Sequence, residues 1–362
     1  MVQHIIRMLV IIMVSSPCLA QQVGASPLFT PKHYVCPFIE GEITVDGIID
    51  DASWDAIPWT SDFVDIEGNE HNRPDHRTRT KICWDKNYLY IAAELQEDHI
   101  WATLTERDDH IYLDNAFEVF IDTDGNGHNY MELQVNAHNA IWDLYMRHPY
   151  GIDKSANVIS GWQADGLTHA VHINGTLNDP SDIDDSWTIE MAIPIKVLQD
   201  FDRWPTRLWR INFFRVDWPI DIVDGAYERP PIDHDDNKIA DYTAWTPSGV
   251  YHTHRPDRFG YVVLANDTSA QFRLYPDEKI KTALWDIYYQ LKDCLYEHEA
   301  LSCSLTDFSI PDVNVAGYEF NPQLNYNFVG YDLYATSSTG HQILVINEKG
   351  LLQTIATKDI RP

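Results

Sequence analysis

The chain has 362 residues, of which 44% are hydrophobic, and it carries 55 acidic residues against 26 lysines and arginines, a net charge of −29. This charge argues against nucleic acid and anionic membranes as partners, because both would repel the protein. Neutral ligands and cations are compatible with it. The length is too great for one average domain and ample for a buried core, so two domains are expected.

The first twenty residues have the features of a secretory signal peptide. Arg7 supplies a positive start, and the apolar stretch 8–14 is too short to span a bilayer. Small residues precede a cleavage site after Ala20, whereas Pro17 disfavours acylation of Cys18 as a lipoprotein. No later stretch reaches the ~18 apolar residues of a membrane helix. The sequence therefore predicts a secreted or periplasmic protein without a membrane span.

Short strands separated by Gly, Asp, Asn and Pro dominate the chain from about residue 43 to 264. The clearest hairpin joins 81–84 to 88–95. The other predicted strands read FEVFID, YMELQVN, NAIWDLYM, LTHAVHI, WTIEMAIPI, WRINFFRVDW and FGYVVL. Regular spacing without intervening helices predicts an all-β sandwich, jelly-roll or immunoglobulin-like, rather than a parallel sheet. The polar insertion 229–242 is expected to overhang one end of the sandwich.

A second, smaller unit is predicted after a linker at 266–274. Apolar residues recur at three- and four-residue steps from Ile280 to Cys294, and two acidic residues stand at the start, as in an amphipathic helix. Short β-like pieces follow, including a hairpin broken at 347–350. Residues 275–362 are therefore predicted to form a small α+β domain, which is faintly similar to pilin-like units.

Cysteine is sparse beyond the signal peptide. Cys36, Cys83, Cys294 and Cys303 show neither a CxxC pair nor zinc-ligand spacing. In an exported protein, Cys294 and Cys303 could close a short loop as a disulfide, and buried free thiols are the alternative.

Four segments occur in the order that they have in family 9 carbohydrate-binding modules, and they cover roughly residues 40–265. They read ITVDGIIDDASWDAIPW, WDKNYLYIAAELQED, DNAFEVFIDTDGNGHNYMELQVN and RPDRFGYVVL. The chain resembles this family. The resemblance implies a saccharide-binding β-sandwich with structural calcium, found on xylanases and related glycoside hydrolases or alone in secreted proteins. The organisation predicted is a signal peptide at 1–20, this sandwich, the linker and the α+β domain.

The resemblance also implies site residues. In the family, two tryptophans sandwich the terminal sugar ring, while a glutamate and an arginine bond its hydroxyls. Glu118 matches the glutamate, Tyr112 occupies the place of the first tryptophan, and Gln134 stands where the arginine is expected. At the second tryptophan this chain has Thr253, with His254 beside it. The aromatic pair is therefore incomplete here.

Three tryptophans near strand ends or after the polar insertion are further candidates for stacking on a sugar ring. They are Trp142, Trp218 and Trp245, and burial in the core is the competing interpretation for each. Arg215 and Asp217 share one face of their strand, opposite Trp218. Two interpretations of that pair stay open, hydroxyl-binding partners or a solvated ion pair.

The stretch DTDGNG places Asp122, Asp124 and Asn126 at the first, third and fifth positions of a calcium loop. The twelfth position is Leu133 instead of glutamate, and both flanks are strands, which excludes an EF-hand. Asp-Gly and Asn-Gly also suit tight hairpins. The stretch is therefore either a plain hairpin turn or a calcium site completed by distant oxygens.

The function predicted is a secreted, non-catalytic protein that binds a neutral polysaccharide or oligosaccharide and supports polysaccharide catabolism. One alternative is a glycoside hydrolase acting on O-glycosyl bonds, which needs two carboxylates at a fixed separation. Its candidate acids are Asp108, Asp109, Asp114 and Glu118. The other alternative is a structural or assembly module in which the C-terminal unit is the working part.

Overall fold

A computed structural model of the chain describes residues 28–68, 73–150, 157–159, 161–199, 208–231, 240–266, 269–298 and 303–357. The predicted signal peptide and residues 232–239 of the polar insertion lie outside the described residues. The strands are β1 (His33–Pro37), β2 (Val64–Asp65), β3 (Thr78–Trp84), β4 (Tyr88–Gln96), β5 (Ala116–Asp122), β6 (Tyr130–Asn136), β7 (Ile141–Met146), β8 (Thr168–Asn174), β9 (Ser186–Pro194), β10 (Leu208–Asp217), β11 (Asp221–Val223), β12 (Ala226–Glu228), β13 (Asp241–Ala244), β14 (Gly260–Ala265), β15 (Gln323–Tyr326), β16 (Tyr331–Thr336), β17 (Gln342–Asn347) and β18 (Leu352–Ala356). The α-helices are α1 (Ala52–Asp55), α2 (Ile195–Gln199) and α3 (Pro276–His298).

Two sheets pack face to face around the main core. The larger sheet has the order β1-β14-β10-β5-β6-β7, with β13 paired to the end of β10 and β2 paired to β13. The smaller sheet has the order β3-β4-β9-β8. Because side chains alternate along a strand, Phe117, Val119 and Ile121 of β5 enter the core, while Glu118 and Phe120 face outward. The larger sheet therefore presents a second, outward face.

The larger sheet begins earlier in the chain than the sequence pattern indicates. β1 runs parallel to β14, with His33 opposite Tyr261 and Pro37 opposite Ala265. Its neighbour across the core is β3 of the other sheet, and Cys36 and Cys83 lie buried as free thiols. Residues before the predicted start of the sandwich thus belong to its main sheet.

The C-terminal unit consists of α3 packed on the meander β15-β16-β17-β18. Ile280, Leu284, Ile287 and Leu291 are fully buried, as their spacing predicts. Cys294 and Cys303 form a disulfide that ties the end of the helix to the following segment. The predicted fold class, an all-β sandwich followed by a small α+β unit, is confirmed.

No helix in the described part of the chain is both long enough and apolar enough to span a membrane.

Candidate functional site

The outward face of the larger sheet brings three predicted residues into one row. Glu118 of β5 lies opposite Phe214 of β10 on one side and opposite Gln134 of β6 on the other. Gln134 in turn lies opposite Trp142 of β7. Directly paired side chains on one face have Cβ atoms about 5 Å apart. A glutamate, a glutamine and a tryptophan are therefore neighbours across three strands.

An aromatic wall stands at the β7 end of this row. Tyr112, from a short 3₁₀ turn at Ile111–Leu113, lies parallel to Trp142 with ring centroids 6.0 Å apart and an interplanar angle of 30°. His110 lies 5.1 Å from Trp142 and 5.9 Å from Tyr112. Tyr112 and Trp142 are only partly buried. Flat apolar ring surfaces thus remain accessible beside the polar row.

Glu118, Glu132 and Gln134 form a polar floor beside these rings, and some of their oxygen atoms lack hydrogen-bond partners. Glu132 precedes Gln134 by two residues on the same face of β6, and Gln134 Nε2 donates to Glu132 Oε1 at 2.6 Å. Glu132 and Gln134 are each 3% exposed, yet Glu132 Oε2 and Gln134 Oε1 have no hydrogen-bond partner among the described residues. Glu118 is 1% exposed, and no described residue pairs with its carboxyl group. Buried acceptors without donors are costly and rare.

His254 closes the opposite side of the floor. Its Nε2 lies 3.7 Å from Glu132 Oε2, which is too far for a hydrogen bond, and its Nδ1 bonds the Tyr130 hydroxyl at 2.8 Å. The ring of Tyr150 meets His254 edge-on at 4.6 Å. Burial lowers the pKa of His254 well below its ordinary value, and the nearby His252 adds to this effect. The imidazole is therefore neutral and does not balance the charge of Glu132.

The two carboxyl groups of the floor raise each other's cost of ionisation. Burial raises the pKa of Glu118 well above its ordinary value, and the neighbouring Glu132 raises it further. Burial raises the pKa of Glu132 to about 7, although the hydrogen bond from Gln134 acts in the opposite direction. We call Tyr112, Glu118, Glu132, Gln134, Trp142 and His254 the outer-face site.

This arrangement has the general design of a saccharide site. Such sites combine flat apolar walls with a few convergent polar groups, and the unpaired acceptors would receive hydrogen bonds from donors on a ligand. Glu132 and His110 were not among the predicted residues. The alternation of β6 would have found Glu132, since it shares a face with Gln134.

The prediction that Trp218 and Trp245 face a ligand is wrong. Trp245 is 1% exposed and packs in the main core beside Phe213, with ring centroids 5.9 Å apart. Trp218 is 4% exposed, and its indole N–H donates to the Tyr112 carbonyl at 2.8 Å. The guanidinium of Arg229 covers the Trp218 ring at 4.4 Å. Neither indole offers a free face.

Arg215 does not join the outer-face site. It forms the predicted ion pair with Asp217, but its own side chain is buried instead of solvated. It lies between the sheets, on the opposite face of β10 from Phe214, and its side chain is 1% exposed. Its Nη2 lies 3.2 Å from Glu97 Oε2 and 3.1 Å from Asp217 Oδ2. Arg215 is therefore the centre of a buried ion network.

Further hydrogen bonds complete this network, which lines a cavity of about 400 Å³ at one end of the sandwich. Asn115 Nδ2 donates to Glu97 Oε1 at 2.6 Å, and His76 Nδ1 lies 3.2 Å from Asp217 Oδ2. Burial acts to raise the pKa of Asp217, but Arg215 and His76 outweigh it and hold that pKa below its ordinary value. Burial raises the pKa of Glu97 to about 7. We call Glu97, Arg215, Asp217, Asn115 and His76 the Arg215 network.

The acids of the hydrolase alternative serve other roles. Asp114 is buried, and its carboxylate accepts hydrogen bonds from the backbone and hydroxyl of Thr103 and from Asn136 Nδ2. Asp108 is exposed in a turn with a positive φ of 67°, and Asp109 follows it there. Glu118 is thus the one of these four acids that lies in the outer-face site.

The DTDGNG loop bonds largely to itself. The two carboxylate oxygens of Asp122 accept hydrogen bonds from the amides of Gly125 at 2.8 Å and Gly127 at 2.9 Å. Asn126 Nδ2 donates to Asp124 Oδ2 at 2.7 Å. Among the described residues, no group of three or more His, Cys, Asp or Glu is placed to hold a metal ion. Calcium at this loop stays a prediction.

The same loop contacts the C-terminal unit. Leu352 N donates to the Asn126 carbonyl at 3.0 Å, and His128 Nε2 bonds the Lys349 carbonyl at 2.7 Å. Gly127 has φ +83°, and a Cβ atom there would lie 2.9 Å from the Trp285 ring of α3. A side chain at that position would therefore push the helix away from the sandwich.

Comparison with known proteins shows one family match. Residues 45–212 match the family model described as carbohydrate family 9 binding domain-like. The predicted resemblance to this family is confirmed over these residues. No functionally curated protein matches the chain.

Solved structures with a similar arrangement include a candidate carbohydrate-binding protein from Bacteroides uniformis, at 12% identity and a TM-score of 0.47, covering 65% of this chain and 100% of that one. A family 9 carbohydrate-binding module from Caldicellulosiruptor kristjanssonii in complex with cellotriose has 13% identity and a TM-score of 0.42, with coverages of 68% and 100%. Its complex with glucose has 14% identity and a TM-score of 0.42, with coverages of 67% and 100%.

Proposed function

We propose that this protein binds a saccharide at the outer-face site without cleaving it. The observation that carries the proposal is the combination of unpaired buried acceptors, Glu132 Oε2 and Gln134 Oε1, with the partly exposed rings of Tyr112 and Trp142. A pyranose ring offers apolar C–H faces to the rings and hydroxyl donors to the acceptors. The family match over residues 45–212 supports the same function.

We further propose that the protein is exported and supports polysaccharide catabolism. The support for export is the composition of residues 1–20, a positive start followed by a short apolar stretch and small residues. A disulfide between Cys294 and Cys303 is consistent with an oxidising compartment. Detection of the protein outside the cytoplasm, with Gln21 as its first residue, would test this directly.

Saccharide binding is tested with a glycan array followed by titration calorimetry on the best ligands. Trp142→Ala is expected to lower affinity at least about tenfold, the equivalent of ~1.4 kcal/mol, because it removes the stacking surface. Trp59→Ala is the matched control, since Trp59 is also a partly buried tryptophan but lies beneath Arg79 and Lys81. If the folded protein binds none of the glycans tested, the proposal is refuted.

Detection of hydrolysis would contradict the proposal that the saccharide is bound without cleavage. Glu118 and Glu132 are two carboxyl groups in one site, and a glycosidase also works with two carboxyl groups. Release of reducing sugar from a bound oligosaccharide, lost in Glu118→Gln, would favour the hydrolase alternative. We expect no release.

A further inference from the structure

Resting on the proposed saccharide site, we propose that the outer-face site selects a ligand with an ammonium group, an amino sugar or a saccharide that contains one. Glu118 and Glu132 would hold the ammonium, while Tyr112 and Trp142 contact the sugar ring. The inference concerns the choice of saccharide, which the fold and the family match leave open.

The first argument is the charge of the site. Two carboxyl groups are more than nine-tenths buried on one face of the sheet, and no described lysine or arginine pairs with either. The titratable groups around them are a histidine pair and phenols, which carry no positive charge at neutral pH. These groups are Tyr112, Tyr130, Tyr150, Tyr242, His252 and His254. The described residues therefore offer no lysine or arginine as a counterion to this pair.

The second argument is the hydrogen-bonding character of the free atoms. Gln134 Oε1 accepts but does not donate, and Glu118 and Glu132 only accept when they are ionised. An ammonium group has three donors and no acceptor, so it matches the ionised site. A hydroxyl has one donor and leaves a carboxylate in this buried place without a positive partner. Hydrogen bonds between ionised partners are also about twice as strong as neutral ones.

The third argument is that a cation completes the other buried acid pair of this domain. In the Arg215 network, one guanidinium bonds both Glu97 and Asp217. The outer-face site also has two carboxyl groups, Glu118 and Glu132, but no described guanidinium lies between them. An ammonium from outside would take the position that Arg215 fills inside.

The consequence for pH follows from ionisation of the pair. An ammonium ligand needs at least one carboxylate, and burial favours the protonated acids. Affinity for an amino sugar should therefore rise between pH 5.5 and pH 7, as the pair loses protons. Affinity for a neutral sugar should change little or fall over the same range.

The test is titration calorimetry of the full chain with glucosamine, N-acetylglucosamine and glucose at pH 7. Glucosamine is expected to bind at least about tenfold more tightly than either neutral sugar. Glu118→Gln and Glu132→Gln are each expected to remove most of this preference. Glu319→Gln, which neutralises an exposed acid of the C-terminal unit, is the matched control and should preserve it.

Four results would count against the proposal. Equal affinity for glucosamine and glucose, or a preference that survives both substitutions, refutes ammonium selection and leaves saccharide binding intact. Failure to bind any saccharide, on the array and in solution, refutes both proposals together. If a variant does not fold, as judged by near-ultraviolet circular dichroism, the rise of wild-type glucosamine affinity between pH 5.5 and pH 7 decides, and its absence counts against the proposal.

Discussion

Two pairs of carboxyl groups lie on opposite faces of the larger sheet, and they differ in their access to a cation. Glu97, Glu118 and Glu132 are buried, while the Asp217 side chain is 25% exposed. Glu97 and Asp217 share the guanidinium of Arg215, whereas Glu118 and Glu132 share no cation among the described residues. Burial acts to raise the pKa in both pairs, yet the pKa of Asp217 falls below its ordinary value because its partners outweigh burial. The inner pair therefore shares a cation within the fold, whereas the described residues supply none to the outer pair.

The largest effect on stability is expected when the inner pair loses its cation, because it then resembles the outer pair. Arg215→Met keeps the length of the side chain and removes its charge, so that Glu97 and Asp217 lose their common partner. Breaking a buried ion pair typically costs about 3–5 kcal/mol, and we expect a loss of that size in the free energy of unfolding. Urea denaturation at pH 7 measures it.

The control for that experiment is Arg79→Met. Arg79 pairs with Glu94 at 3.0 Å, but both side chains are about a quarter exposed, so solvent screens the pair. We expect a loss below about 1 kcal/mol. Equal losses in the two variants would show that the Arg215 network has no special role, and the contrast between the two acid pairs would fail.

The next largest effect is the pH dependence of the stability that Glu132 of the outer pair contributes. The folded pKa of Glu132 is raised to about 7, so the protonated acid is favoured in the folded state. Its contribution to stability is fully present below its ordinary pKa of about 4.3 and is lost as the pH rises through 7. Glu132→Gln removes this penalty and should stabilise the protein at pH 8, on the order of 2 kcal/mol.

Melting temperatures at pH 5 and pH 8 check this prediction. The gain from Glu132→Gln should be clearly smaller at pH 5, because wild-type Glu132 is protonated in the folded state there. A variant that is less stable than the wild type at pH 8 would mean that the carboxylate has a partner in the fold, and the outer pair would then be complete as well.

The sequence predicts the strands of this domain well, because alternation and turn residues are local signals. It also predicts that Arg215 and Trp218 point to opposite sides of the strand predicted there. It does not tell which face is inside. A charged residue is assigned to solvent by default, and Arg215 is buried because Glu97, from a distant part of the chain, neutralises it. Such a pairing has no local signal.

The site shows the same division between local and distant information. The resemblance to the family supplied Tyr112, Glu118 and Gln134, and the structure places them together on one face. Proximity to a strand end was a weak guide for the tryptophans. Trp142 lies on the outward face, whereas Trp245 packs into the core, and the difference depends on which sheet face each strand presents.

The smallest effect concerns another buried acid, Asp122, whose carboxylate oxygens accept hydrogen bonds from two backbone amides. Burial raises its pKa, while the amides of Gly127 and Gly125 act to lower it. Asp122→Asn replaces one acceptor oxygen with a donor that faces an amide, and we expect a loss of about 1 kcal/mol. Urea denaturation measures this loss, and no loss would show that the loop amides do not depend on the carboxylate.

Calcium binding to the DTDGNG loop would place a metal ion beside this acid. An ion bound only by the folded state raises the melting temperature with concentration, and we expect a rise of a few degrees, about 1 kcal/mol, in millimolar calcium. The rise should be absent in Asp124→Asn, which keeps the turn-forming side chain but lowers the charge. A wild-type melting temperature that does not change with calcium would mean that the protein's own groups suffice for Asp122. The loop would then act as the hairpin turn on which the C-terminal unit packs.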